Sequence, residues 1–243
     1  MKSSIIGKRG YGWLAAATAF LLSLHSYAQS ISIGDQSFEV TSSVSAQATT
    51  LTNPKSASNG YWTATSYAAA PALGSPTVTL DSTASGLTGT VGSKVSFVSF
   101  SGLVGSGTIS QTLGTNFASG TTYTLTLNVA VSTLTGLATN TFINLQAAGT
   151  TVSSYNSVNL VNLLQTANQF YQISLSYTAT SSDAGKAIGL SFGTGAVASL
   201  SGTTYFDNAQ LMAVPEPGVS FHLVWCAGWM VLRRRRWMAG WTE

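Results

Sequence analysis

The sequence predicts an all-β domain, an antiparallel sandwich, set between two terminal apolar segments. Three observations predict it. Apolar residues recur with a period of two rather than 3.6, Ser and Thr fill many of the alternate positions, and glycine-bearing turns separate the runs. One apolar and one hydroxyl-rich face per strand is the pattern of antiparallel sheets packed face to face.

Taken in chain order, residues 1–28 read as a secretory signal peptide. Lys2, Lys8 and Arg9 form a basic start, Trp13 to Leu24 is apolar, and Ser26-Tyr27-Ala28 sets small residues at a cleavage site after Ala28. Twelve apolar residues rise about 18 Å as a helix, too little for a hydrocarbon core of about 30 Å.

Residues 29–213 are the domain. Its clearest strand is Tyr123–Val131, where Tyr123, Leu125, Leu127, Val129 and Val131 alternate with polar or small residues. Tyr171–Tyr177 and Ile188–Phe192 alternate in the same way. Further strands are expected at Ser37–Val40, Thr77–Leu80, Lys94–Phe100, Thr108–Leu113, Thr141–Ala147, Val152–Ser157 and Thr204–Met212. One helix-like stretch, Val158–Ala167, interrupts them. About 185 residues suffice for a single core without disulfides.

After the domain, Val214-Pro215-Glu216-Pro217 ends the last strand, because neither proline donates a ladder hydrogen bond. Residues 218–232 carry no formal charge and are expected to form a single transmembrane helix, followed by Arg233-Arg234-Arg235-Arg236 on the cytoplasmic side and a short tail, 237–243.

Only 7% of residues are charged, and the net charge of +3 comes from the ends. Between residues 29 and 213, Lys55, Lys94 and Lys186 face Asp35, Glu39, Asp81, Asp183 and Asp207, which leaves the domain at −2. No basic groove for nucleic acid exists there. Both histidines and the cysteine, His25, His222 and Cys226, also lie outside it. Ser-His-Asp and Cys-His triads and His/Cys zinc sites are therefore excluded, and a non-catalytic protein is expected. A glycosidase would need two carboxylates about 5–9.5 Å apart in a cleft.

The C-terminal order of Pro-Glu-Pro, apolar helix and arginine cluster over Val214–Arg236 resembles the PEP-CTERM sorting signal of Gram-negative bacteria. That resemblance implies an exosortase-type processing enzyme as partner, passage through the inner membrane, and a final place at the cell surface or in an exopolysaccharide or biofilm matrix.

A second resemblance runs along the domain. Ser37-Phe38-Glu39, Asn59-Gly60-Tyr61-Trp62, Ser110-Gln111-Thr112-Leu113, Gly120-Thr121-Thr122-Tyr123-Thr124-Leu125 and Tyr205-Phe206-Asp207-Asn208-Ala209-Gln210-Leu211 follow in order. The succession is similar to jelly-roll domains of the carbohydrate-binding-module and galactose-binding-like type. It implies a structural calcium held by Glu39 early and Asp207 late, with Asp35 as a third contributor and carbonyls or water completing the shell. Against this stands the plain reading that these carboxylates face solvent.

Sugar rings stack their apolar faces on aromatic side chains, and Trp62 and Tyr61 are the candidates for a polysaccharide contact, with Tyr67 and Tyr155 behind them. Against this, a single tryptophan in a β-sandwich is more often a core residue. The expectation is an exported surface or matrix protein that binds polysaccharide, with a purely structural or adhesive protein as the alternative.

Overall fold

The computed structural model describes residues 27–216, apart from segments 41–42, 49–53, 69–75, 103–104, 135–139, 156–162 and 197–199. Residues Gln29–Ala213 form one compact unit. It is an all-β sandwich of two antiparallel sheets. The signal segment up to residue 26, residues 217–243 with Pro217, the expected transmembrane helix and Arg233–Arg236, and the first half of the helix-like stretch at 158–167 lie outside the described residues. No helix among the described residues is long and apolar enough to cross a membrane.

The strands are β1 (Gln29–Ile31), β2 (Val44–Gln47), β3 (Lys55–Ser58), β4 (Thr63–Ala68), β5 (Thr77–Thr83), β6 (Lys94–Gly102), β7 (Gly105–Asn116), β8 (Thr121–Val131), β9 (Thr141–Ala147), β10 (Thr150–Tyr155), β11 (Tyr171–Thr178), β12 (Ala187–Ala196) and β13 (Leu200–Pro215). One sheet runs β11-β8-β13-β6-β5-β2, with β1 also on β13; the other runs β10-β9-β12-β7-β4-β3.

Period-two alternation produces the core. On β8, Tyr123, Leu125, Leu127 and Val129 point inward, opposite Ile143 and Leu145 of β9 and Ile188, Leu190 and Phe192 of β12 in the facing sheet. Each such side chain contributes on the order of 1.5–3 kcal/mol by leaving water. The outward positions carry hydroxyl pairs across strands, Thr122 with Thr178 at 2.7 Å and Thr124 with Ser176 at 2.9 Å. A second, smaller cluster of Val95, Ala130 and Phe170 is buried with Leu87 and Tyr205 packed against it.

One expected strand is absent. Residues 37–40 form a turn, because Asp35 and Phe38 take left-handed backbone angles (φ 49° and 57°) and Phe38 N–H donates to the Asp35 carbonyl at 3.2 Å. Phe38 still points into the core, so the apolar position was read correctly and the backbone was not.

Candidate functional site

The turn at residues 34–40 brings four of the five carboxylates of the domain to one end of the sandwich. Asp35 organises it. Its Oδ1 accepts the backbone N–H of Glu39 at 2.7 Å and of Val40 at 3.2 Å, an Asx-type turn that satisfies donors no strand could reach. Its Oδ2 accepts from Asn59 Nδ2 at 3.1 Å, and the same amide donates to Asp81 Oδ2 at 2.9 Å. Asn59 Oδ1 in turn accepts the N–H groups of Tyr61 (3.0 Å) and Trp62 (2.7 Å), which fixes the amide's orientation.

Asp81 reaches this point because β5 is irregular there: its register against β6 shifts between Thr79 and Ser82, and Asp81 has a φ of 56°. Such a bulge re-aims a side chain. Asp81 is buried and Asp35 half-buried. Burial, then the charge and hydrogen bonding of Asp81, raise the Asp35 carboxyl above its ordinary value, against the two amides it accepts.

Gln111, on β7, clamps the turn from below. Its Oε1 accepts Gly34 N–H at 3.2 Å, and its Nε2 donates to the carbonyls of Gly34 (3.0 Å) and Tyr61 (3.1 Å). The Tyr61 ring lies so close to Gly34 that a β-carbon there would meet Tyr61 Cδ1 at 2.4 Å. Tyr61, Val40 and Val91 are large apolar residues exposed on the three segments that meet here.

Glu39 and Asp207 come within electrostatic reach of each other. Glu39 Oε1 accepts the N–H groups of Ser93 and Lys94, both at 2.6 Å, and Oε2 accepts the Ser93 hydroxyl at 2.9 Å. Burial alone would raise its carboxyl; the hydrogen bonds from Lys94 and Ser93 outweigh it and hold the group below its usual value. Gly92, with φ 86°, is required, since a β-carbon would strike Glu39 Oε1 at 2.4 Å. Asp207 is fully buried; its Oδ2 accepts Val91 N–H and its Oδ1 accepts Asn208 N–H, both at 2.7 Å. Burial pushes Asp207 up to about 6, against these two amides, and the charge of Glu39 adds to the rise.

Of the expected metal set, Glu39 and Asp207 therefore converge, whereas Asp35 turns to Asp81 and Asn59. Among the described residues no group of three or more His, Cys, Asp or Glu could hold a metal ion.

Trp62 does not present a face to solvent. Its indole is wholly buried, with ring centroids 5.2 Å from both Phe38 and Phe192, and its Nε1–H donates to the Asp35 carbonyl at 2.9 Å. It is the floor beneath the turn. Asp81, Asn59 and Gln111 were not singled out in the sequence as site residues; Asn59 and Gln111 stood only within the segments Asn59-Gly60-Tyr61-Trp62 and Ser110-Gln111-Thr112-Leu113 of the jelly-roll resemblance.

A family model described as HpiC1-like, HpiC1 cyclase, matches residues 29–212. The chain belongs to the HpiC1-like cyclase family. Membership overturns the expectation of a non-catalytic, polysaccharide-binding protein. The absence of His, Cys and Arg excluded hydrolytic triads, but not a reaction that needs only a proton donor and an apolar surround.

Solved structures agree in fold with this HpiC1-like domain. The Stig cyclase Fisc from Fischerella sp. TAU, in complex with (3Z)-3-(1-methyl-2-pyrrolidinylidene)-3H-indole, is 20% identical; the match covers 78% of this chain and 99% of that one, with a TM-score of 0.56. A cyclase from Fischerella sp. TAU in complex with 4-(1H-indol-3-yl)butan-2-one is 20% identical over 77% of this chain and 98% of that one, TM-score 0.56. An apo cyclase from Fischerella sp. gives 19%, 79%, 98% and 0.55. No curated protein matches the chain.

Proposed function

We propose that this HpiC1-like chain is a cyclase-type enzyme that closes a ring in a small, apolar, indole-bearing substrate. The family match over residues 29–212 carries the reading, and the acidic turn supplies chemistry suited to it. In the proposed step, the Asp35 carboxyl gives its proton to an electron-rich substrate carbon and a C–H bond forms. The resulting cation is attacked by a second carbon–carbon π bond of the same molecule, which closes the ring. A proton then leaves the new cation for the Asp35–Asp81 carboxylates and restores them. Substrate and product have equal mass, and nothing is oxidised or reduced. A carboxyl raised above its ordinary value is better poised to give up a proton in such a step than an ordinary carboxylate. Tyr61, Val40 and Val91 would cover the apolar substrate and its cation.

A structural calcium at Glu39 and Asp207 belongs to the same proposal. Two converging carboxylates, one of them buried, supply charge of the right kind; backbone carbonyls and water would complete the shell, and the amides of Val91, Ser93 and Lys94 would have to yield. No chemical step runs through it.

Export is supported by the basic-apolar start of residues 1–28, and sorting by the Val214–Pro217 motif with its arginine cluster. The test of the catalytic reading is conversion of an indole carrying a tethered alkene into a product of unchanged mass by the wild type. Absence of any such product across a panel of tethers would overturn it.

A further inference from the structure

Asn59-Gly60 is the one Asn-Gly pair in the sequence. In such a pair the backbone nitrogen of the glycine can attack the asparagine Cγ. A C–N bond forms, the Cγ–Nδ2 bond breaks, and ammonia leaves behind a five-membered succinimide. Water then opens that ring to aspartate or isoaspartate. Glycine favours the attack because no side chain shields its nitrogen.

The turn between β3 and β4 requires both members of the pair. Gly60 has a φ of 92°, in the left-handed region that a residue with a β-carbon avoids. Asn59 donates to Asp35 Oδ2 and to Asp81 Oδ2, and accepts from the amides of Tyr61 and Trp62. An ionised aspartate there could only accept, and a serine brings a single donor. The labile pair is therefore built into the site.

The same bonds hold it inert. Nδ2 cannot leave without giving up its bonds to two carboxylates, and Oδ1 is fixed by two amides. The attacking nitrogen is engaged as well. Gly60 N–H donates to Ser58 Oγ at 3.1 Å, and that hydroxyl donates to the Trp62 carbonyl at 2.9 Å.

We propose that Asn59 is a deamidation site, suppressed while the acidic turn is closed and exposed when it opens. Conversion replaces a group with two N–H donors by a carboxylate set against Asp35 and the buried Asp81. Like charges then repel where an amide had joined two acids. The isoaspartate product also adds a methylene to the main chain of residues 59–62, between Ser58 and Thr63, which pair directly. A turn that reacts while open does not close again, so each event retires one acidic site for good. The site is that of the proposed acid, but the modification needs no substrate and is read without one.

Trypsin cuts after Lys55 and Lys94, and the peptide Ser56–Lys94 contains no Asn or Gln besides Asn59. A mass gain in it from exchange of NH₂ for OH therefore reports this residue alone. The purified protein is held in mildly alkaline buffer, native and in urea, and the peptide is followed with time. The folded protein should react at least roughly tenfold more slowly than the unfolded chain, the factor that one charge-assisted hydrogen bond supplies. Ser58→Ala, at an exposed position, should speed the native reaction by roughly 2–10-fold and leave the unfolded rate unchanged. Protein converted in urea and returned to buffer should melt below an unconverted control taken through the same cycle, and Asn59→Asp should melt low in the same way. Equal rates in the folded and unfolded states, no reaction at Asn59 in urea, or full recovery of the melting temperature after conversion would overturn the proposal. Should Ser58→Ala fail to fold, the wild-type comparison alone decides.

Discussion

Asp35 and Asp81 meet through a single amide: Asn59 Nδ2 donates to one carboxylate at 3.1 Å and to the other at 2.9 Å. The two acids come from distant parts of the chain, one from a turn held by its own Asx bonds and one from a strand irregularity. The two N–H bonds of that amide hold the carboxylates side by side, and burial together with the charge of Asp81 raises the Asp35 carboxyl.

That relationship predicts the behaviour of two variants. Asp35→Asn keeps an oxygen for the Glu39 and Val40 amides, so the turn should persist and the melting temperature should change little. Turnover should fall by roughly 10²–10⁴-fold, the usual worth of a positioned proton donor. Asp81→Asn should lower the Asp35 acidity range and shift the pH–rate profile to lower pH. Full activity in Asp35→Asn, measured by product at unchanged mass, would remove Asp35 from the mechanism.

Calcium is expected to raise the melting temperature of the chelator-treated protein. A ligand bound only by the native state stabilises it by about 2.7 kcal/mol at a hundredfold excess over its dissociation constant. Asp207→Asn should abolish the shift. Identical melting in chelator and in calcium would show that Glu39 and Asp207 serve only to hold the loop around Val91–Lys94.

In chelator, stability should peak near pH 4. Asp207 is raised to about 6 from an ordinary value of 3.8, so the native state binds the extra proton; that stability is full below about 4 and is lost as pH rises through about 6. Asp35 is raised as well and acts in the same direction. Asp183 is opposite in sign. Hydrogen bonds from Thr180 and Tyr177 hold it at about 2, so its contribution is present above 3.8 and lost as pH falls through about 2. Chemical denaturation across this range should show both arms, with Asp207→Asn flattening the upper one and Asp183→Asn the lower.

Trp62→Ala should cost about 3–5 kcal/mol, as expected for a wholly buried aromatic. Tyr61→Ala, at an exposed ring, should leave unfolding nearly unchanged and raise KM. A Trp62→Ala protein as stable as wild type would contradict the packing with Phe38 and Phe192.

The proposed export and sorting predict, by mass spectrometry of the mature protein, an N-terminus at Gln29 and a C-terminus near Pro215–Pro217. An intact Glu243 on the exported form would exclude processing at that motif.

The second half of the fold was legible because β8, β9, β11 and β12 alternate over most of their length between apolar and polar or small residues. The first half was not. β2 reads Val-Ser-Ala-Gln and β3 reads Lys-Ser-Ala-Ser, with too little apolar contrast to mark a face. Residues 37–40 looked like a strand because Phe38 is apolar between polar neighbours; nothing local marks the left-handed angles that Asp35 and Phe38 adopt. Glu39, Asp35 and Asp207 were found as carboxylates in a domain with few of them. Asp81 was missed because its position depends on a bulge, and Asn59 and Gln111 because an amide's role appears only when its partners are in place.

The pairing of β1 with β13 sets Gln29 opposite Ala213, so the first and last residues of the domain lie side by side. Tension applied between those two ends would open the pair like a zip, one hydrogen bond after another, instead of shearing a whole ladder at once. A domain threaded that way makes a poor link in a load-bearing chain. It is better suited to hang from one point, with its acidic turn free to meet small molecules, than to bear the pull between a cell and its surroundings.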